Sequence, residues 1–156
     1  MTRTTEIHEE LDLAGIDFDL IEHHRTETAG DEARAIGVPL DEVAKTIVVA
    51  SGERFIRAVL PASRRLDLHK VRELLDDNRA RLASEEELVL AYPMYELGAV
   101  PPFGVPAGDR VLLDRRLAER DSVVLEAGLH SESVRLKTAD LLTVSAAEVE
   151  EIAEEG

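Results

Sequence analysis

Three stretches of this sequence carry residue types that could do chemistry. The first is Lys45, at the start of the apolar run Val43-Ala44-Lys45-Thr46-Ile47-Val48-Val49. The chain has 15 arginines and only three lysines (Lys45, Lys70, Lys137). A site that needs a compact point charge rather than a planar fork selects lysine. The alternative is a lysine that snorkels from a strand end. The second stretch is the loop Tyr95-Glu96-Leu97-Gly98-Ala99-Val100-Pro101-Pro102-Phe103-Gly104. Two prolines lock φ while the glycines let the backbone approach a ligand. Such a rigid loop can aim N–H groups at a developing oxyanion. Pro101 and Pro102 have no N–H, so donors must come from Gly98, Ala99, Val100, Phe103 or Gly104. The plainer reading is a stiff surface turn. The third is His130, which follows Gly128-Leu129 at a turn before a predicted strand. An imidazole there titrates near neutral pH and can act as a general base; the alternative is a loop histidine in solvent.

Other chemistries are excluded. The chain has no cysteine, which removes thiolate catalysis, disulfides and Cys-ligated zinc. It has no G-x-S-x-G elbow, P-loop, G-x-G-x-x-G or H-E-x-x-H pattern. His23 and His24 are adjacent, so on a strand they face opposite ways and cannot share one metal; they read as surface histidines at a strand end. His8 and His69 fall on predicted helices among charges and receive no role. No metal or cofactor is expected.

The elements that must position these residues follow from hydrophobic period and capping signals. Thr4 to Ala14 reads as a helix, with Ile7, Leu11 and Ala14 on one face and Gly15 ending it. Ile16, Phe18 and Leu20 alternate with acids as in a half-buried strand. Thr28 caps a short helix through Ile36 that Gly37 stops. Val43 to Ala50 suits a buried central strand, and Ser51-Gly52-Glu53 turns it into a second strand, Arg54 to Leu60. Asp67 caps a helix lined by Leu68, Val71 and Leu75. Ser84 with Glu87 makes a capping box for a helix that ends near Tyr92-Pro93. Met94 to Gly108 is a loop. Val111 to Leu113, Ser122 to Leu125 and Val134 to Leu136 are further strands, with Asp114 as a structural cap. Ser145 with Glu148 predicts a last capping box, with Ala146, Val149 and Ala153 on the inner face of a C-terminal helix. The 156 residues fit one domain, of α/β class with a mixed, largely antiparallel sheet flanked by helices.

Charge bounds the partners. There are 33 acids against 18 bases, a net charge of -15. Such a surface suits a high-salt cytoplasm or a GC-rich genome, and it argues against tight nucleic-acid binding, which needs clustered cations. From Pro61 to Arg81 the balance reverses locally, with six bases against four acids. The first 30 residues have no apolar signal core, and no run approaches the ~20 residues of a membrane helix. The chain is expected to be cytoplasmic.

Taken together, these segments resemble the YbaK/ProX family, whose domain is also inserted in bacterial prolyl-tRNA synthetases. The resemblance rests on Ala44-Lys45-Thr46, on the Gly98 to Pro102 loop followed by Phe103-Gly104, and on the order of the motifs around them. Those are Thr28-Ala29 to Gly37, Leu60-Pro61 to Leu66-Asp67, and Ala127-Gly128. It covers roughly residues 5 to 150. It implies deacylation of mischarged aminoacyl-tRNA in trans: tRNA-Pro carrying a small wrong amino acid such as alanine or cysteine. It implies the tRNA acceptor end as a transient partner, and prolyl-tRNA synthetase as a second one. Two departures bear on the substrate. Many relatives have a second Gly where this chain has Ala99, and Ser or Thr where it has Pro101.

In the mechanism this implies, water attacks an already activated ester. Lys45 binds the terminal phosphate or the carbonyl oxygen, and amides of the Gly98 loop share the charge. Thr46, Ala99, Val100, Pro102, Phe103 and Gly104 shape the substrate site. Arg64 and Arg65 contact the tRNA backbone. The proton goes to the vicinal ribose hydroxyl or to His130. The alternatives are a non-catalytic module that holds tRNA ends or a small ligand, and an ordinary small-ester hydrolase.

Overall fold

A computed structural model describes residues 3–26 and 28–155. Helix α1 (Arg3–Leu13) leads into strand β1 (Phe18–Glu22), and α2 (Ala29–Ile36) follows. Thr28 caps α2 by accepting from the Asp31 amide, and Gly37 ends it in the left-handed conformation. A short 3-10 turn (Leu40–Glu42) feeds strand β2 (Ala44–Ser51), which pairs with β3 (Arg54–Pro61) across the expected hairpin. Then come α3 (Leu68–Leu75), β4 (Arg81–Leu82) and α4 (Glu85–Ala91). Asp67 caps α3, and the Ser84–Glu87 capping box opens α4. The long loop precedes β5 (Arg110–Asp114), α5 (Arg115–Ala118), β6 (Ser122–Glu126), β7 (Glu132–Lys137), α6 (Thr138–Ser145) and β8 (Glu148–Glu150).

The strands divide into two sheets rather than one. Strands β1-β7-β6 form an antiparallel three-stranded sheet, and β4-β2-β3-β5-β8 a mixed five-stranded one. In the larger sheet β3–β5 and β5–β8 are parallel, and the β2 pairings are antiparallel. A single bridge, Val43 to Val124, joins β6 to the residue that precedes β2. The main core fills the space between the sheets with Val48, Val59, Leu113, Val123, Leu125 and Leu136, closed by Ile7 and Leu11 of α1. A second cluster on the other face packs Val49, Ile56, Ala58 and Leu112 against Val71 and Ile152. The continuous apolar sequence of β2 and β3 follows from this, since each strand is covered on both faces. Among the described residues no helix is long and apolar enough to cross a membrane.

The C-terminal helix expected from Ser145 onward is a correction. The helix is α6, which ends where that expectation begins, and Ala146 takes a left-handed φ of 52° that stops it. The Ser145 hydroxyl donates back to the Leu141 carbonyl, so it caps nothing that follows. Glu148 to Glu150 instead extend beside β5 in parallel register. Val149 is 44% exposed, and Ile152 takes the core position. Tertiary pairing to an open edge of the sheet outweighs the local pattern here. On α1, Ile7 and Leu11 are buried but Ala14 is exposed.

Asp114 ties this terminus down. Its fully buried carboxylate accepts from the Arg116 amide, capping α5, and from the amides of Ile152 and Ala153 at 3.0 and 2.9 Å. Replacing Asp114 with Ala strands these buried donors, so urea unfolding of Asp114→Ala should show a loss of about 3 kcal/mol, compounded from unmet amides at ~1–3 kcal/mol each. A midpoint equal to wild type would mean the terminus docks without it.

Candidate active site

Lys45 lies one residue into β2, opposite Leu60 of β3, beside the seam where the two sheets meet. There a pocket of about 190 Å³ opens, walled by Ala29 and Glu32 of α2, Ala44 to Ile47 of β2, Gly98 to Val100 with Pro102 of the loop, and Leu125 and Glu126 of β6. Drug-sized ligands fill about 300–1,000 Å³, so this pocket suits a group the size of a small amino acid. Among the described residues no hydrogen-bond or ion-pair partner meets the half-buried Lys45 ammonium. Burial, and secondarily the Arg65 guanidinium, pull its pKa below the ordinary lysine value. A desolvated, unpaired cation on a pocket wall is a site for an anion or a developing oxyanion.

Gly98 holds a φ of 86°. A Cβ there would meet the His130 ring at an ordinary 3.5 Å, so conformation rather than space calls for glycine. Gly128 differs: a Cβ would come within 2.8 Å of the Tyr95 ring, which packs directly on this backbone. The Ala99 amide is occupied by the Glu96 carbonyl at 2.9 Å. Of the donors expected in this loop, Gly98 and Val100 therefore remain on the pocket wall.

His130 is buried and stands behind the loop, outside the pocket lining. Its Nε2 faces the Leu97 carbonyl at 2.6 Å, and its Nδ1 faces the Glu126 carboxylate at 3.0 Å. Its backbone amide donates to Glu96 Oε1 at 2.7 Å. Burial would raise the Glu96 pKa, but hydrogen bonds from Arg25 and this amide hold it low. The ring is thus buried rather than in solvent, with one nitrogen on the carbonyl that precedes Gly98 and the other on Glu126 of β6. Phe103 and Gly104 line a neighbouring cavity with Glu10 and Arg57 rather than the Lys45 pocket. Arg65 reaches Lys45 electrostatically, while Arg64 lies outside the pocket wall. His69 is an exposed partner of Glu73, and the side chain of His8 lies outside the described part.

Sequence reasoning missed two buried charges. One is Glu32, 1% exposed, on the pocket wall. The other is Arg57, in the middle of β3 and 1% exposed. Its Nε donates to Asp109 at 3.0 Å, and its two terminal nitrogens donate to the carbonyls of Pro101, Phe103, Gly104, Val105 and Pro106 at 2.6 to 3.3 Å. The Tyr92 ring lies 5.2 Å from the guanidinium carbon, and its hydroxyl donates to the same Asp109 at 2.6 Å. A guanidinium has five N–H donors, and here every one is used on the loop or its acid. The signal in the sequence was an arginine inside the apolar strand Phe55-Ile56-Arg57-Ala58-Val59-Leu60.

Comparison with known proteins bears on the family and the fold of the chain. The family model described as the aminoacyl-tRNA editing domain matches residues 23–144. The "Multifunctional Ser/Thr-tRNA deacylase ProXp-y" of Escherichia coli strain K12 is 31% identical over 144 residues, covering 89% of this chain and 86% of that protein. The crystal structure of a candidate trans-editing enzyme for prolyl tRNA synthetase superposes with a TM-score of 0.90 at 24% identity, over 99% of both chains. The crystal structure of a hypothetical protein gives 0.88 at 26% identity, over 96% of this chain and 99% of that one.

The Arg57 clamp gives a test that does not depend on any substrate. Arg57→Met keeps much of the apolar stem but takes the cation from Asp109, which retains the Tyr92 hydroxyl, and leaves five carbonyls without their donor. Removing one partner of a buried charge network costs about 3–5 kcal/mol, which urea unfolding measures. Arg57→Lys, with one ammonium and three donors, should recover only part. An unchanged midpoint for Arg57→Met would show that the prolines hold the loop alone.

Proposed function

The chain belongs to the aminoacyl-tRNA editing domain family, and from that premise we propose that its Lys45 pocket hydrolyses the ester of tRNA mischarged with serine or threonine. It is an aminoacyl-tRNA deacylase. The observation that carries the assignment of the site is the half-buried Lys45 ammonium without a partner among the described residues, facing a cavity of small-amino-acid size.

In this reading the aminoacyl ester enters the pocket with its carbonyl oxygen toward Lys45. Water attacks the carbonyl carbon, and the ammonium, with the Gly98 and Val100 amides, takes up the negative charge that develops on oxygen. A charge pair 4 Å apart at an effective dielectric of 20 is worth about 4 kcal/mol, or nearly 10³ in rate. His130 acts on the reaction through the Gly98 turn it fastens, as a positioning residue. Arg65 adds to the positive field at Lys45 and is suited to a tRNA phosphate.

The choice of amino acid follows from the wall chemistry. Ala99 brings a methyl to the loop, and Thr46 and Glu32 bring polar groups to the sides. A purely apolar pocket rejects an added hydroxyl or a lost methylene by only about 1–3 kcal/mol, whereas a site that hydrogen-bonds a substrate hydroxyl discriminates far more. The relative's named action on Ser/Thr-tRNA supports the same choice. The proposal accordingly takes serine and threonine, where the family resemblance alone suggested alanine and cysteine.

The experiment is release of radiolabelled amino acid from tRNA charged with serine, threonine, alanine or cysteine, with Lys45→Ala alongside. Serine and threonine should be released at least about 100-fold faster than alanine, and Lys45→Ala should lose about 10³-fold in kcat while keeping the wild-type melting temperature. Equal rates for serine and alanine would overturn the specificity, and full activity in Lys45→Ala would remove this pocket from the reaction. Adding prolyl-tRNA synthetase to the same assay tests the partnership that the resemblance implies.

A further inference from the structure

Attack by water requires a group that takes the proton from the attacking oxygen, and both ring nitrogens of His130 are already engaged, by the Leu97 carbonyl and the Glu126 carboxylate. The wall itself holds a second candidate. Glu32 projects from α2 and lines the pocket, 1% exposed. Among the described residues, Ser133 of β7 is the side chain that hydrogen-bonds to its carboxylate, through Oε2. The Ser133 hydroxyl is itself buried and lies 3.0 Å from Nε2 of His23. His23 Nδ1 lies 2.7 Å from the His24 carbonyl, at the exposed end of the chain of contacts.

The donor logic of this chain is restrictive. A carbonyl oxygen only accepts, so His23 Nδ1 carries a hydrogen. Two arrangements then satisfy every contact with the same number of protons. In one, Glu32 is ionised, the Ser133 hydroxyl donates to it, and an imidazolium Nε2–H donates to Ser133. In the other, protonated Glu32 donates to Ser133, whose hydroxyl donates to a neutral Nε2. Passing from one to the other moves a proton between the pocket wall and the surface with no side chain leaving its place.

We propose that Glu32 is the proton acceptor of the deacylation, and that Ser133 and His23 relay its proton to solvent. This rests on the deacylase reading of the Lys45 pocket. As the water oxygen bonds to the ester carbon, one water proton passes to Glu32 and the carbonyl electron pair moves onto the oxygen beside Lys45. Collapse re-forms the carbonyl and breaks the carbon–oxygen bond to the ribose. The ribose oxygen takes its proton from Glu32. The amino acid leaves as a carboxylic acid, whose own proton passes to ionised Glu32, through Ser133 to His23, and out. One water is consumed and one proton released.

Burial raises the Glu32 pKa to about 7, with the Ser133 hydrogen bond opposing the rise. A base is most efficient when its pKa lies near the working pH. The other titratable groups near it are Lys45 of β2 and Glu126 of β6 on the same pocket lining, and His23 through Ser133.

Glu32 also links α2 to β7, so the test must separate chemistry from support. Deacylation by wild type, Glu32→Gln, Glu32→Asp, Ser133→Ala and His23→Ala is followed between about pH 5.5 and 8.5, with melting curves for each. Glu32→Gln keeps size and hydrogen-bonding capacity but cannot take a proton. It should lose about 100-fold or more in kcat, with KM within about threefold, and its rate should no longer rise with pH through neutrality. Glu32→Asp should restore part of the rate together with the rise. His23→Ala, a change near the surface, should be slowed by about tenfold and rescued by added imidazole. A structural tie would show none of the pH or rescue effects. Wild-type kcat and pH profile in Glu32→Gln overturn the proposal while the deacylase reading stands. An unfolded Glu32→Gln leaves the decision to His23→Ala, where absence of slowing or of imidazole rescue overturns the relay. Wild type inactive on every aminoacyl-tRNA overturns the deacylase reading and the relay with it.

Discussion

The Arg57 guanidinium is the constraint on which the site depends. A cation removed from water costs several kcal/mol unless each donor finds an acceptor. Arg57 finds Asp109 and five successive or near-successive carbonyls of one loop. Turning those oxygens inward fixes the path of residues 101–106, and with it the place of Pro102 on the pocket wall. Tyr92 closes the arrangement, its hydroxyl on Asp109 and its ring near the guanidinium. Burial, and then Asp109, raise the pKa of that hydroxyl well above the usual tyrosine value, so it remains a donor. The prolines restrict the loop locally, but the arginine determines where it lies relative to β3. On the other side, His130 fastens the Gly98 turn through the Leu97 carbonyl. The loop is thus held at both ends, with the pocket-facing residues between.

Much of this was legible in the sequence because it is encoded locally. Thr28, Asp67, Ser84 and Asp114 each cap the element that follows them, and their partners lie two or three residues away. Lys45 was legible as an anomaly of composition, and the Gly98 to Pro102 loop as an anomaly of stiffness. The illegible parts are those whose partners are distant. Arg57 reads as an interruption of an apolar strand until residues 101 to 109 arrive above it. Glu32 sits in Ala29-Gly30-Asp31-Glu32-Ala33-Arg34, a segment that reads as solvated, and its hydrogen-bond partner is 101 residues away. His130 was correctly placed at a turn, but only the fold shows that Glu126 and Leu97 enclose its ring. The C-terminus misled because Ser145-x-x-Glu148 satisfies a helix signature while β5 offers an unpaired parallel edge. Such an edge is invisible in the chain itself.

The acidic composition also looks different once contacts are known. The locally basic stretch from Pro61 to Arg81 is largely committed within the protein. Lys70 donates to Glu151, Glu155 and the Ala153 carbonyl, Arg72 to the Ala80 carbonyl, and Arg81 to Glu87. These bases dock the C-terminal segment and tie α3 and α4 to the chain beside them more than they form a nucleic-acid surface. Beside the pocket Arg65 and Lys45 act on one another, which gives that part of the surface positive charge for a polyanion. A net charge of -15 disfavours a long footprint on tRNA, since phosphate affinity scales with the cations engaged. It permits a small contact confined to the acceptor end.

Lys45 and Glu32 share one wall without neutralising each other. An ion pair would hold the lysine pKa up and the carboxyl pKa down. Both move the other way, Lys45 down and Glu32 up, with burial as the main cause of each. Neither is among the charges that shift the other. The pocket therefore brings a cation and a carboxyl that do not neutralise each other to one cavity of small-amino-acid size, and burial shifts the two titrations in opposite directions. Two groups displaced in opposite directions by one environment can take opposite parts in one reaction: the ammonium beside the oxygen that gains charge, the carboxyl beside the water that loses a proton. Only the fold creates this arrangement, because α2 supplies the carboxyl, β2 the ammonium, and the seam between the sheets the cavity.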